Sequence, residues 1–158
     1  VRNLITRQTM ASQRAEAPKS LLDKKLFQAA ENGDSATLKN LLELKANPNC
    51  SQGGTTLLYT ATRYNRADCV KLLLRFGADP TVTVGTRTAL IEAIEEQREE
   101  CEQALSNHLK KMSSGGQSSK AEKAAAKEAL AKAAAFRKTL TRKAQEASWK
   151  QQQQEKEE

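Results

Sequence analysis

The chain has 158 residues, a formal net charge of +7 and only 4% aromatic residues, which suits one small domain with accessory segments. No apolar run approaches the roughly 18 residues of a membrane-spanning helix, so we expect a soluble protein. Three cysteines without close pairing and a single histidine argue against a disulfide framework or a histidine-based metal site, and favour a reducing compartment.

The positive charge is concentrated at the two ends of the chain. Residues 1–19 hold four basic residues and one acidic residue, and residues 120–158 hold ten basic and six acidic residues. The middle, residues 20–119, holds twelve of each and is neutral. Attraction to an acidic partner should therefore come from the ends.

The N-terminal segment, residues 1–19, is predicted to be a basic arm. Its first fifteen residues contain three arginines and no acidic residue, which is also typical of an organellar transit segment, and both interpretations stay open. We expect a cytoplasmic location by default, with a mitochondrial or plastid location as the alternative. Ser20 and Asp23 then form a capping-box pattern, which predicts a helix from about residue 21.

An internal repeat covers about residues 20–112. The stretches "KKLFQA", "GTTLLYTA" and "RTALIEA" end at Ala29, Ala61 and Ala93, with intervals of 32 residues. The same interval relates further apolar residues: Leu26, Leu58 and Leu90, Leu38 and Val70, Leu41 and Leu73, and Leu42 and Leu74. Such a period sets the architecture of the whole region.

Each repeat is predicted to be a helix, a turn, a second helix and a loop. Turns are expected at Gly33, at Asn65 and near Gln97, and apolar residues at helical spacing follow each of the first two. In the middle repeat the second helix should stop at Gly77, which can adopt the left-handed conformation, before Pro80, which cannot continue a helix.

The middle repeat carries "GTTLLYTA", "CVKLLL" and "GAD", and on these motifs the chain resembles the ankyrin-repeat family. The first and third repeats match less well, as capping repeats with solvent-facing outer sides should. The resemblance implies an all-α solenoid of three repeats, at about 20–50, 51–82 and 83–112. The family's binding surface, carried over to this sequence, comprises Glu31, Asn32, Gln52, Thr55, Arg63, Tyr64, Val84, Arg87, Glu95 and Glu96.

The region after the second helix of the third repeat is predicted to be a flexible linker followed by a long helix. Residues 113–119, "SSGGQSS", have a linker composition, and residues 120–158 are rich in the helix formers alanine, lysine and glutamate. Helical spacing places six residues near one face, in a stripe that is too thin to anchor a hydrophobic core by itself: Ala129, Ala133, Phe136, Leu140, Ala144 and Ala147.

This C-terminal helix has two functional interpretations and one structural alternative. Its cations could contact phosphates, with an aromatic ring nearby. Its apolar face could instead pack in a partner's groove or against another helix. It could also be a solvated extension. The predicted contact residues are Lys127, Lys132, Phe136, Arg137, Lys138, Leu140, Arg142, Lys143 and Trp149.

The sequence offers no catalytic, cofactor-binding or metal-binding residues that we can nominate. Cys69 and Cys101 are 32 residues apart, the repeat interval itself, which indicates equivalent packing positions in successive repeats. We therefore predict a non-catalytic protein that acts as an adaptor or small structural subunit of a larger assembly. Arg63 and Tyr64 are the strongest candidate anchors, because arginine and tyrosine dominate binding hot spots. The alternative is a nucleic-acid-associated subunit, for example of a ribosome, with the basic helix on RNA.

Overall fold

A computed structural model of the protein describes residues 21–115 and 119–154. The chain divides into two compact units, Val1–Asp79 and Pro80–Glu158, which we call unit 1 and unit 2. The predicted N-terminal arm, the Ser20 end of the capping box and the last four residues lie outside the described residues.

Unit 1 contains two helical hairpins with a short antiparallel strand pair between them. The first hairpin consists of α1 (residues 21–32) and α2 (Ser35–Glu43), and the second of α3 (Leu57–Arg63) and α4 (Ala67–Arg75). The strands β1 (Ser51–Gln52) and β2 (Thr55–Thr56) pair just before α3.

The turns inside the two hairpins of unit 1 use the left-handed backbone conformation where the sequence predicts it. Gly33 has a φ of +80°, and a Cβ atom there would lie 2.7 Å from Cδ of Arg66, so both the dihedral angle and the close approach favour glycine. Asn65 occupies the equivalent turn with a φ of +56°. Gly77, with a φ of +85°, follows the end of α4 as predicted.

The core of unit 1 is formed by large aliphatic side chains on helices that repeat at the interval of 32. The helices α2 and α4 pack against each other, and α3 packs against α4. The predicted apolar stripes are confirmed, because all six of their members are buried: Leu38, Leu41, Leu42, Val70, Leu73 and Leu74.

Unit 2 contains the third hairpin and the long C-terminal helix. A strand pair, β3 (Thr83–Val84) and β4 (Arg87–Thr88), precedes α5 (Ala89–Glu95) and α6 (Glu99–Ser114). The last helix, α7 (Lys120–Gln154), has 35 residues, which corresponds to about 52 Å.

The helix α7 packs against both α5 and α6. Its contact face consists of alanines: Ala126, Ala129 and Ala133 are each 4% exposed or less. An ion pair joins Glu102, near the start of α6, to Arg137 in the middle of α7, and α7 begins six residues after α6 ends. These positions indicate that the two helices are antiparallel. The sequence predicts the third repeat to be a capping repeat with a solvent-facing outer side, whereas in the structure α7 packs against both helices of that repeat.

The predicted all-α fold class is confirmed, because the described residues form seven helices and only two strand pairs of two residues each. The strand pairs were not predicted. In the first pair, Gly53 and Gly54 adopt φ values of +59° and +78°, which reverses the chain so tightly that Gln52 and Thr55 come into register. Two residues per strand are too few to leave an alternating sequence pattern.

Candidate functional site

The end of α3 in unit 1 presents two of the predicted anchors to solvent. The helix begins at a cap in which the Thr56 hydroxyl accepts a hydrogen bond from the Tyr59 amide at 3.2 Å. Its last residue, Arg63, and the following Tyr64 are both exposed, and Tyr64 retains 49% of its accessible surface. Within the described part of the chain, neither side chain forms a hydrogen bond or an ion pair. Both are therefore available to a partner.

Four further predicted residues of unit 1 lie at the strand pair and at the end of α1. Gln52 and Thr55 face each other across the ribbon, where Gln52 is exposed and Thr55 is half-buried. Glu31 and Asn32 are exposed, and the Glu31 carbonyl accepts a hydrogen bond from Nε of Arg66 at 3.0 Å. The side chain of Arg66 thus joins the two hairpin turns of unit 1.

A second polar connection in unit 1 centres on Asn49. Its Oδ1 accepts a hydrogen bond from the Asp79 amide at 2.8 Å, and its Nδ2 donates to the Gly77 carbonyl at 3.2 Å. This side chain fixes the loop after the second hairpin against the loop after the first. Sequence analysis missed both Asn49 and Arg66. The similar stretches "ANPN" (residues 46–49) and "ADPT" (residues 78–81) are 32 residues apart and occupy equivalent loops. No sequence signal shows that a side chain of one loop reaches the other.

The predicted residues of unit 2 form a paired charge cluster. Nη1 of Arg87 lies 2.5 Å from Oε2 of Glu95 and 3.6 Å from Oε2 of the buried Glu92, which sequence analysis did not select. Val84 is the strand partner of Arg87, so three predicted residues come together. Glu96 does not pair with Arg87, and its Oε2 lies 3.8 Å from Nη2 of Arg98. The guanidinium of Arg87 is already neutralised within the chain, which leaves it less free charge to offer than Arg63.

Several cations predicted on α7 are paired within the chain. Arg137 pairs with Glu102 of α6, and Lys132 Nζ lies 2.7 Å from Oε1 of Glu128. The hydrogen bond from Lys132 lowers the pKa of Glu128. Arg142 Nε lies 3.5 Å from Oε1 of Glu146. Pairs of this kind on an exposed helix are weak, because water screens them.

The other predicted residues of α7 differ in exposure along the helix. Phe136 and Leu140 are half-buried, while Lys127, Lys138 and Lys143 are exposed and form no ion pair with another described residue. From residue 141 to residue 154 every residue is exposed, including Trp149 at 64%. The first half of α7 is therefore a packed helix, and the second half is a surface with cations and one large aromatic ring.

A groove of about 730 Å³ lies among α5, α6 and α7, and we call it the α7 groove. Its walls belong entirely to unit 2, and each helix contributes residues at helical spacing. The lining residues are Leu90 and Ile94 of α5, Glu102, Ser106 and Lys110 of α6, and Leu130, Ala133, Ala134, Arg137, Lys138, Thr141, Arg142 and Gln145 of α7.

Burial shifts the pKa values of two cysteines and of the histidine in the direction that favours their neutral forms. Burial, with a smaller effect of Asp23, raises the pKa of the Cys50 thiol to about 11. Burial also raises the pKa of Cys69, so neither thiol is a thiolate nucleophile at neutral pH. Burial and the nearby Lys111 lower the pKa of His108. Across the described ranges, no three His, Cys, Asp or Glu side chains are grouped so as to hold a metal ion.

Comparison with known proteins identifies the family of the chain. A family model described as ankyrin repeats, in three copies, matches residues 26–114, more than half of the chain. The search of curated proteins found no match. Within the described ranges, no helix combines the length and the apolar character needed to cross a membrane. The repeat interval, the helical hairpins and this match agree, and the chain belongs to the ankyrin-repeat family.

Proposed function

We propose that this protein is a non-catalytic adaptor or small structural subunit that docks on a partner protein through its repeats. Ankyrin repeats are generally protein–protein interaction modules, and the family is typically non-catalytic. The observation that carries the proposal is that Arg63 and Tyr64, at the end of α3, are exposed and that their side chains have no polar partner among the described residues. An arginine beside a tyrosine supplies a planar cation and a large amphipathic ring, the two side chains most enriched in hot spots.

The surroundings of these two residues support a preorganised docking surface. Six consecutive residues of α3, from Leu57 to Thr62, are buried, so the backbone that carries Arg63 and Tyr64 is fixed by packing. A fixed backbone lowers the ordering cost of binding. The ribbon residues Gln52 and Thr55, which precede the start of α3, would form a further part of the docking surface.

The test replaces a tyrosine of the intact chain with a photo-crosslinking amino acid. At Tyr64 the probe should form one dominant covalent adduct with a protein in the native cell extract, identified by mass spectrometry. The double variant Arg63→Glu with Tyr64→Ala should lose capture of that protein by at least about tenfold. Lys71→Ala, on an exposed position of α4, is the matched control and should retain capture. Equal capture by both variants would exclude the end of α3 as the docking surface.

The nucleic-acid alternative has one favourable observation, the exposed cations Lys138 and Lys143 with Trp149 on the second half of α7. Phosphate contacts and base stacking could use these groups. Deleting α7 would be an unsuitable test, because α7 covers α5 and α6 and its removal would expose their apolar faces. Titration of the intact chain with single-stranded RNA at several salt concentrations tests this alternative, which requires affinity that falls steeply with salt.

A further inference from the structure

The floor of the α7 groove is apolar and comes from α5 and α7. Leu90 and Ile94 line it from α5, and Leu130 and Ala133 line it from α7. The two residues from each helix are three or four positions apart, so each helix presents a single face to the groove. An apolar floor of this kind gains free energy when another apolar surface removes it from water.

The rim of the groove is basic. Lys110, Arg137, Lys138 and Arg142 line it, and Glu102 is its one carboxylate. Glu102 is already paired with Arg137, and Arg142 lies 3.5 Å from Glu146, a weak pair on the exposed part of α7. Among the described residues, Lys110 and Lys138 are the unpaired cations on the two sides of the apolar floor. Such a rim favours an occupant with negative charges on both sides of an apolar stripe.

The shape of the groove favours an elongated occupant over a small molecule. Much of its α7 wall is exposed, including Ala134, Lys138 and Thr141, so the groove is open along its length. The wall runs from Leu130 to Gln145, fifteen residues further on, which corresponds to about 22 Å or four turns of a helix. A helix of four turns would place one apolar face along the floor and its flanks beside the cations.

From this geometry we infer that the α7 groove binds an acidic amphipathic helix of a partner protein. The inference deepens the proposed function, because it names the chemistry of a second contact made by the C-terminal helix. It concerns unit 2 only and does not depend on Arg63 or Tyr64.

Other segments of this chain are poor occupants on grounds of charge. Residues 1–20, which the structure does not describe, carry four cations and one carboxylate, so they would meet a rim of like charge. The helix α7 of a second copy carries more cations than carboxylates and would meet the same repulsion. The occupant that complements the groove is therefore an acidic helix from a different protein.

The experiment measures binding of a purified peptide to the full chain by fluorescence anisotropy. The probe is a fluorescein-labelled helical peptide of sixteen residues with leucines at i, i+3, i+4 and i+7 and glutamates on both flanks. One control peptide has the same composition with the leucine spacing permuted, and a second has lysines in place of the glutamates. The acidic amphipathic peptide should bind on the order of tenfold more tightly than either control.

Two pairs of variants locate the binding on the groove. Lys138→Glu with Arg142→Glu should weaken binding on the order of tenfold, because both charges lie on the rim. Lys127→Glu with Lys143→Glu changes the net charge equally but lies off the groove, and should change affinity by less than about threefold. Ala134→Trp, which fills the groove without a change of charge, should also weaken binding, whereas Ala131→Trp on an exposed position off the groove should not.

Four results would overturn the inference. They are absence of peptide binding at about 100 μM, equal binding of the permuted peptide, equal weakening by the two charge-reversal pairs, and displacement of the peptide by single-stranded RNA that binds more tightly. The last result would assign α7 to a nucleic acid. Because the probe is a defined peptide, each of these results leaves the docking test at Tyr64 unaffected, so the two proposals can fail separately.

Discussion

The contact between α2 and α4 in unit 1 and the contact between α6 and α7 in unit 2 are built from different side chains. In unit 1 the two helices bury leucine and valine, represented by Leu38 and Leu73. In unit 2, α6 buries Leu105 and Leu109, but the buried residues of α7 are alanines, with Ala129 at their centre. The helices of the repeats interlock large side chains, whereas α7 presents a face of small side chains that lets its backbone approach α6 closely.

The two contacts should therefore fail in different ways. A leucine interface loses free energy when side-chain volume is removed, because a cavity remains in a structure that relaxes only partly. An alanine face has little volume to lose and is instead sensitive to added size or charge, because there is no space between the helices to receive it. Substitutions of opposite kinds in the two units test this difference.

The largest expected effect follows removal of a buried leucine from unit 1. Leu73→Ala should lower the free energy of unfolding by about 3 kcal/mol, from the lost transfer energy and the cavity. Urea unfolding followed by circular dichroism measures the change. Leu72→Ala, at the half-buried neighbouring position, is the matched control and should lower the free energy of unfolding by less than about 1 kcal/mol. Similar costs at the two positions would contradict the assignment of Leu73 to the core.

A somewhat smaller effect is expected from a charge on the alanine face. Ala129→Glu places a carboxylate without a partner against α5 and α6, and it should lower the free energy of unfolding by about 2 kcal/mol. The loss is not larger, because α7 can detach from its packing and return the carboxylate to water. Hydrogen exchange should accelerate in α7 between residues 120 and 137. Ala131→Glu adds the same charge at an exposed position of the same helix and should leave exchange unchanged. Protection of α7 in both variants would show that the face does not hold the helix.

The smallest expected effect is a gain in stability at a turn of unit 2. Gln97 has a φ of +54°, a conformation that costs residues with a Cβ more than it costs glycine, so Gln97→Gly should stabilise the protein by about 0.5 kcal/mol. Asn65, its equivalent in unit 1, has a φ of +56° but tolerates this conformation better. Asn65→Gly should therefore change stability little, and thermal unfolding compares the two. A loss on Gln97→Gly would mean that side-chain contacts outweigh the backbone strain.

The repeats could be predicted from the sequence because their apolar residues recur at one interval. They recur because the core needs an apolar side chain at the same position of each repeat. Ala29, Ala61 and Ala93 predicted the register, and the structure buries all three. The sequence did not predict the partners of the site residues. Hydrogen bonds such as those of Asn49 depend on where two loops meet in the folded protein, and this position is not encoded in a local pattern. For the same reason, sequence analysis selected Arg87 and Glu95 without foreseeing that they pair with each other. The binding roles of the selected residues remain predictions.

The amino-acid sequence by itself determined the family, the all-α class and the turn positions, because each depends on local spacing: apolar residues 32 apart, helical stripes, and glycine or asparagine where φ is positive. Only the tertiary structure decided the role of α7. A stripe of alanines has too little apolar area to predict burial from its composition, and it packs only where a matching helix face approaches within contact distance. That contact, absent from any local pattern, produces the α7 groove.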